Sequence, residues 1–349
     1  MEQSLFVKHP YGSIRLDPPL AAVAIQAQDL FGDLFEIGRI STRDESRAEI
    51  SLSYEGPVIR HQCGNLVELE PFHLGCNHYA ENGMSYYAAE QKSDVLTHAV
   101  YGRNDSFRIY GALSSAAPFL RHVVRQIVAK YAAASGDFLI HASAVTMGQY
   151  AIAFIGPKGA GKTTALAAAL RSGCKYVGND KVLVTSINGV EHISLWPTTP
   201  LISRNTLALT GYTPPGIEQV SFADGPSEKA PIRVADLAES ITRHPVQLKA
   251  IVLLVDPDHI WTTHANFLHR EIFRPTEAVR PWLWHDRTVE SLPAHDNLWA
   301  RCVGICQAVS ILKYPRHSGL DVLLDLFMHI GNLSARIPSR ITGESPRPS

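Results

Sequence analysis

Eight consecutive residues, Gly156-Pro157-Lys158-Gly159-Ala160-Gly161-Lys162-Thr163, satisfy every fixed position of the pattern GxxxxGK[ST]. The chemistry of phosphate binding explains each type. Glycine reaches backbone conformations closed to other residues, so successive N–H groups can turn inward onto phosphate oxygens. The helix expected to follow would present its positive end to the same anion. Lys162 would then reach the β- and γ-phosphates of ATP, and the Thr163 hydroxyl would ligate Mg²⁺. Thr164 extends the nucleotide-binding set into the first helical turn.

Two further groups could work beside that loop. Gly148-Gln149 reads as a two-residue hairpin turn joining an apolar strand over residues 138–147 to a second over 150–155. That turn pairs 147 with 150 and therefore carries His141 opposite Gly156. The position suits a catalytic or phosphate-sensing histidine, and equally a histidine satisfied within the core. Asp180 closes the run Gly178-Asn179-Asp180 after the strand that follows the loop's helix. A carboxylate at the end of such a strand could hold Mg²⁺ or accept a proton from an attacking hydroxyl. A rival acid is Asp256, which ends the apolar run 251–255 and precedes Pro257.

The elements needed to position these residues are legible. Residues 162–171 are Ala/Leu-rich and helical, and Gly173 marks the stop. A strand begins at Tyr176, so strand, loop, helix and strand read as one crossover unit with parallel strands. Asn188-Gly189 predicts a hairpin between 182–187 and 190–195, and buried strands are expected over 248–255 and 308–314. Residues 116–134 predict an amphipathic helix, with Phe119, Val123, Ile127 and Tyr131 on one side and Arg121 and Arg125 one turn apart on its surface, as a solvated face or as a substrate or phosphate clamp. Short strands over 48–53, 66–70, 84–88 and 107–110 punctuate the first 112 residues. Residues 210–231 read as a long loop, 319–330 as a terminal helix and 336–349 as a polar, proline-containing tail.

Composition narrows the class. The 349 residues carry 32 Lys plus Arg against 33 Asp plus Glu, a net charge of −1. That balance argues against a dedicated nucleic-acid or anionic-membrane binder. No run approaches the ~18 apolar residues of a membrane helix, and the first twenty residues lack the basic start and apolar run of a secretory signal. The five cysteines form no CxxC pair, which points to a reducing cytoplasm, and Cys302 and Cys306 read as packing residues. The sequence leaves homo-oligomer formation open.

The run FLIHASAV, the glycine turn, AIAFIGPKGAGKTT and then YVGNDKVLV resembles the catalytic core of HPr kinase/phosphorylase and its related kinases, with phosphoenolpyruvate carboxykinase more distant. The likeness covers residues 116–200 well, 308–330 loosely and the first 112 hardly at all. It implies an α/β fold: an N-terminal β-rich accessory domain over 1–112 and an HPr-kinase-like P-loop catalytic domain over 113–335, before the tail. By position, His141 matches the family's active-site histidine, Lys162 and Thr163 its P-loop residues, and Asp180 the second of two aspartates. The first aspartate is Asn179 here. A carboxamide can bind a metal through its oxygen but cannot serve as a base, so the kinase half of the family's double reaction is the half this sequence favours. The family also uses a downstream arginine, for which Arg204, Arg270, Arg274 and Arg280 are candidates, Arg204 first.

The expectation is therefore an ATP- and Mg²⁺-dependent kinase acting on a hydroxyl of a protein, peptide or small molecule. Thr163, Asp180 and Asn179 would attend the metal, while Lys162, His141, Asp180 and Arg204 would serve the transfer. The alternative is an ATPase or nucleotide-dependent switch with Asp256 as its acid.

Overall fold

The computed structural model describes residues 5–9, 12–26, 36–38, 49–56, 67–72, 76–81, 84–90, 96–103, 106–196, 200–217, 229–232, 241–242, 244–255 and 295–315, with a few single positions between and beyond them. These residues form a mixed α/β molecule with several sheets.

The N-terminal part is β-rich. Its strands are β1 (Leu5–His9), β2 (Gly12–Leu16), β3 (Glu36–Gly38), β4 (Glu49–Gly56), β5 (Val67–Phe72), β6 (Cys76–Glu81), β7 (Met84–Glu90), β8 (Leu96–Arg103) and β9 (Ser106–Gly111). They form one sheet in the order β3-β1-β2-β4-β9-β8-β7-β6-β5. Short α1 (Pro18–Gln26) follows β2, and Asp17 starts it by accepting from the Leu20 N–H at 3.2 Å while its other oxygen holds the Tyr54 N–H at 2.6 Å.

Helix α2 (Ala116–Ala134) has the bounds its periodicity predicts. Its apolar face buries Leu120, Val123, Val124 and Ile127 completely, in a core shared with β1, β2, β4, β9 and α1 and with Leu139, Leu183 and Trp196. Each such side chain contributes about 1.5–3 kcal/mol. Arg121 and Arg125 are half-buried rather than solvated, a departure from the sequence reading: flanking elements cover the polar side as well.

The second sheet contains β10 (Phe138–Ile140), β11 (Ala142–Met147), β12 (Tyr150–Ile155), β13 (Lys175–Gly178), β14 (Val182–Ile187), β15 (Val190–Leu195), β18 (Val246–Val255) and β19 (Ser310–Pro315), while β16 (Leu201–Ser203) and β17 (Lys229–Pro231) form a separate ribbon. Its order is β10-β14-β15-β18-β12-β11-β13, with β19 also pairing β18. The β11–β12 hairpin has the predicted register, from Met147↔Tyr150 to Ala142↔Ile155.

Alternation along β12 sorts the two faces. Ala151, Ala153 and Ile155 join a core with Cys302 and Ile305 of α5 (His295–Ala308). Ile152 and Phe154 join one with Ala165, Leu166 and Ala169 of α3 (Lys162–Arg171), against which α4 (Arg204–Thr210) also packs through the Arg171 hydrogen bond to the Thr210 carbonyl at 2.6 Å. Arg301 fixes α5 to β15 through a two-pronged pair with Glu191 at 3.1 and 2.6 Å. Burial pushes the Cys302 thiol up to about 12, so it is an inert packing group.

Two details differ from the sequence reading. The strand predicted over 138–147 is broken at His141: β10 pairs with β14, whereas β11 pairs with β12 and β13. And β12 and β13, joined by α3, are not neighbours. Antiparallel β11 lies between them, and the parallel neighbour of β12 is β18. The hairpin into the loop occupies the place a simple crossover would give to the next strand. Among the described residues no helix is long and apolar enough to cross a membrane. The predicted helix over 319–330, Arg270, Arg274, Arg280 and Asp256 lie outside the described residues, as does the tail.

Candidate functional site

The loop 156–161 leaves the end of β12 and delivers the chain into α3. Gly161 occupies the position before the helix with φ 95°, a left-handed conformation that side chains other than glycine adopt at a cost. No side chain caps that helix start, so the first-turn N–H groups remain for an anion. Gly156 is required for a different reason. A Cβ there would lie 2.7 Å from the Leu254 carbonyl oxygen and 2.9 Å from the Ala160 Cβ. The expected result for Gly156→Ala is a loss of about 1–3 kcal/mol of stability, read as a lower melting temperature, because the obstructing atom is backbone on the neighbouring strand. An unchanged melting temperature would show that β18 gives way.

Lys162 bends over the loop that precedes it. Its ammonium donates to the carbonyls of Gly156 at 2.6 Å and Pro157 at 3.2 Å. Lys158 points outward and is exposed, while Ala160 is buried beneath the loop.

The ends of β11 and β13 meet the loop from the side. Because β11 runs antiparallel to both its neighbours, its first residues lie at the same end of the sheet as the last residues of β12 and β13. His141 and the turn at Asn179-Asp180 therefore face each other across the loop's entrance. The His141 Nε2 lies 3.1 Å from the Asp180 Oδ1. The hydrogen bond from His141 holds the Asp180 carboxyl down at about 2, against partial desolvation by its neighbours, which raises it, and the positive charges of Lys181 and Lys162 act in the same direction as the histidine. The Lys162 contribution places that carboxylate within the field of the loop's own cation. Asp180 has φ 72°, a left-handed conformation that aspartate tolerates better than most residues and that concentrates at functional turns.

Asn179 takes the inner position. It is buried, its Oδ1 accepts from the Ser143 hydroxyl at 2.8 Å, and the Thr163 hydroxyl lies 3.5 Å from the same oxygen. Thr163, Asn179 and Asp180 thus offer a hydroxyl, an amide oxygen and a carboxylate at one end of the loop. Neutral and anionic oxygens suit a hard cation such as Mg²⁺, which takes only one or two protein ligands and completes its shell with water and phosphate oxygens. Among the described residues no group of three or more His, Cys, Asp and Glu is arranged to hold a metal by itself.

The structure therefore gathers His141, Lys162, Thr163, Asn179 and Asp180 at the loop, and adds Ser143, which the sequence reading passed over as a small residue in an apolar strand. Although Arg204 begins α4, whose far end touches Arg171 of α3, its guanidinium lies over the Phe222 ring at 5.1 Å to the centroid.

Searches against protein-family models and against curated proteins find no match. Among solved structures, the HPr(Ser) kinase/phosphatase from Coxiella burnetii is similar over 56% of this chain and 90% of its own, with 13% sequence identity and a TM-score of 0.31. A superposition that loose fixes neither family nor activity, so the functional reading rests on the geometry of the loop and its neighbours.

Proposed function

We propose that this chain is an ATP-dependent phosphotransferase, a kinase that moves the γ-phosphoryl group of ATP to a hydroxyl of a protein, peptide or small molecule. The observation that carries the reading is the joint placement of Lys162, Thr163 and the His141–Asp180 pair around a glycine loop that opens onto an uncapped helix start. In this reading the loop amides and first-turn N–H groups hold phosphate oxygens, and Lys162 exchanges its two loop carbonyls for the oxygens of the moving group. Thr163 and Asp180 would hold Mg²⁺, with the Asn179 oxygen behind Thr163, and the ion would offset the charge that develops on the phosphate oxygens.

The acceptor hydroxyl would meet Asp180. As its oxygen bonds to phosphorus, the bond from phosphorus to the β–γ bridging oxygen breaks and the hydroxyl proton passes to the carboxylate. A carboxyl held at about 2 is a weak base, so its main work is to orient the hydroxyl and accept the proton late. His141 steadies that carboxylate through the 3.1 Å contact. Positioning and fixed charge supply most of the rate in such transfers.

Radiolabelled γ-phosphate ATP, incubated with Mg²⁺ and the purified chain in the presence and absence of hydroxyl-bearing protein extracts, provides the test. Label carried onto an acceptor is the expected outcome. Release of inorganic phosphate with no labelled acceptor would replace the kinase with an ATPase, and failure to bind ATP at all would sink the reading.

A further inference from the structure

The entrance to the loop carries a polar contact that none of the roles above uses: Ser143, completely buried, donates to the Asn179 Oδ1 at 2.8 Å. We infer that Ser143 is a positioning residue for the metal side of this site, fixing which way round the Asn179 carboxamide sits and, through it, which lone pairs Thr163 offers to a divalent cation. The inference rests on the phosphotransferase reading and names a residue that reading does not need.

Local sheet geometry makes the contact. The β11–β13 ladder shifts register between Ala144, opposite Gly178, and Val145, opposite Tyr176, so that Val177 is the extra residue. Continued one step past Ala144↔Gly178, the shifted register sets Ser143 opposite Asn179. Without the shift, Ser143 would face Gly178, which has no side chain. Bulges of this kind re-aim a side chain near functional sites. Ser143 also has the parity of Val145, which belongs to the core on the α3 side of the sheet. Ser143 therefore faces the loop's helix rather than α5.

Proton bookkeeping then orients the amide. Ser143 and Thr163 each own one hydroxyl proton, and the Asn179 Oδ1 stands 2.8 and 3.5 Å from their oxygens. Rotating the amide by half a turn would replace that acceptor by an NH₂ group and leave the buried Ser143 proton unsatisfied. Ser143 thus selects the oxygen-inward orientation. With its proton directed at Asn179, Thr163 keeps its lone pairs for a cation. A carboxylate at 179 would have two equivalent oxygens and would need no such selection, so Ser143 matters because residue 179 is an asparagine.

A double-mutant cycle on the full chain tests this, with Mn²⁺ as the probe metal. Affinity for ATP is measured by titration calorimetry with Mn²⁺ and again with EDTA, and the ratio gives what the metal adds. Circular dichroism checks that each variant is folded. Ser143→Ala is expected to cut that ratio about tenfold in the Asn179 background, as loss of an outer-shell partner does, and to leave metal-free affinity within about twofold. In the Asn179→Asp background the same substitution is expected to change the ratio by less than about twofold. Equal losses in both backgrounds would mean that Ser143 merely packs, and an unchanged ratio in the Asn179 background would overturn the inference outright. If wild type binds ATP neither with nor without Mn²⁺, the phosphotransferase reading falls and this inference with it. A wild type that binds Mn²⁺·ATP beside an unaffected Ser143→Ala variant overturns the Ser143 role alone.

Discussion

Lys162→Ala is expected to yield a folded chain whose phosphoryl transfer is reduced on the order of 10³-fold or more, the scale seen when a cation is removed from a transferring phosphate. The geometry explains why the loss should fall on activity rather than on folding. Lys162 satisfies two loop carbonyls, those of Gly156 and Pro157, at 2.6 and 3.2 Å. Pro157 is partly exposed, so water replaces the ammonium there, and the loss at the buried Gly156 carbonyl costs about 1–3 kcal/mol, too little to unfold the chain. Water cannot replace its charge beside the transferred group. The carbonyls instead act as a holding position, keeping the ammonium over the loop until phosphate oxygens compete for it. Lys158→Ala is the matched control, because Lys158 is exposed and its contribution to the loop is backbone. The measurements are single-turnover transfer and melting temperature for both variants. Activity of Lys162→Ala within about tenfold of wild type would refute the loop's assignment to phosphate.

The elements nearest the loop were legible because their signals are local. The bounds of α3 follow from its Ala/Leu run and from Gly173, which has φ 86° just past the helix end. The β11–β12 register follows from a two-residue turn, and that register carries His141 opposite the loop's first glycine. What could not be read depends on contacts between distant segments. The break at His141 arises because β10 finds its partner in β14, more than forty residues later, and nothing in FLIHASAV marks the change. The insertion of β11 between β12 and β13 is likewise a matter of tertiary pairing. The bulge that sets Ser143 opposite Asn179 has only Gly178 as a local trace, since a Cβ there would come within 2.5 Å of the Val182 Cγ1. The stacking of Arg204 on the Phe222 ring likewise joins residues that no local pattern pairs.

The His141–Asp180 pair should behave as a unit. His141→Gln and Asp180→Asn are each expected to lower the transfer rate about 10²-fold or more, and the double variant is expected to lose little beyond the worse single one, because either change leaves the other group with nothing to orient. Additive losses would instead mean two independent roles. Acid stability gives a second readout. Folding lowers the Asp180 carboxyl from 3.8 to about 2, so in that window the unfolded chain binds more protons than the folded one. The stabilisation is complete above about pH 4 and is lost as pH falls through about 2. With 61% of the Asp180 side chain exposed, solvent screens the pair and the effect on stability is small. The carboxyl's share of the melting-temperature difference between wild type and Asp180→Asn should therefore be modest and should shrink as pH falls from about 4 towards 2. A difference that kept its full size below about pH 4 would mean that folding does not hold the carboxyl in its anionic form, and the orienting role given to the histidine would fall with it.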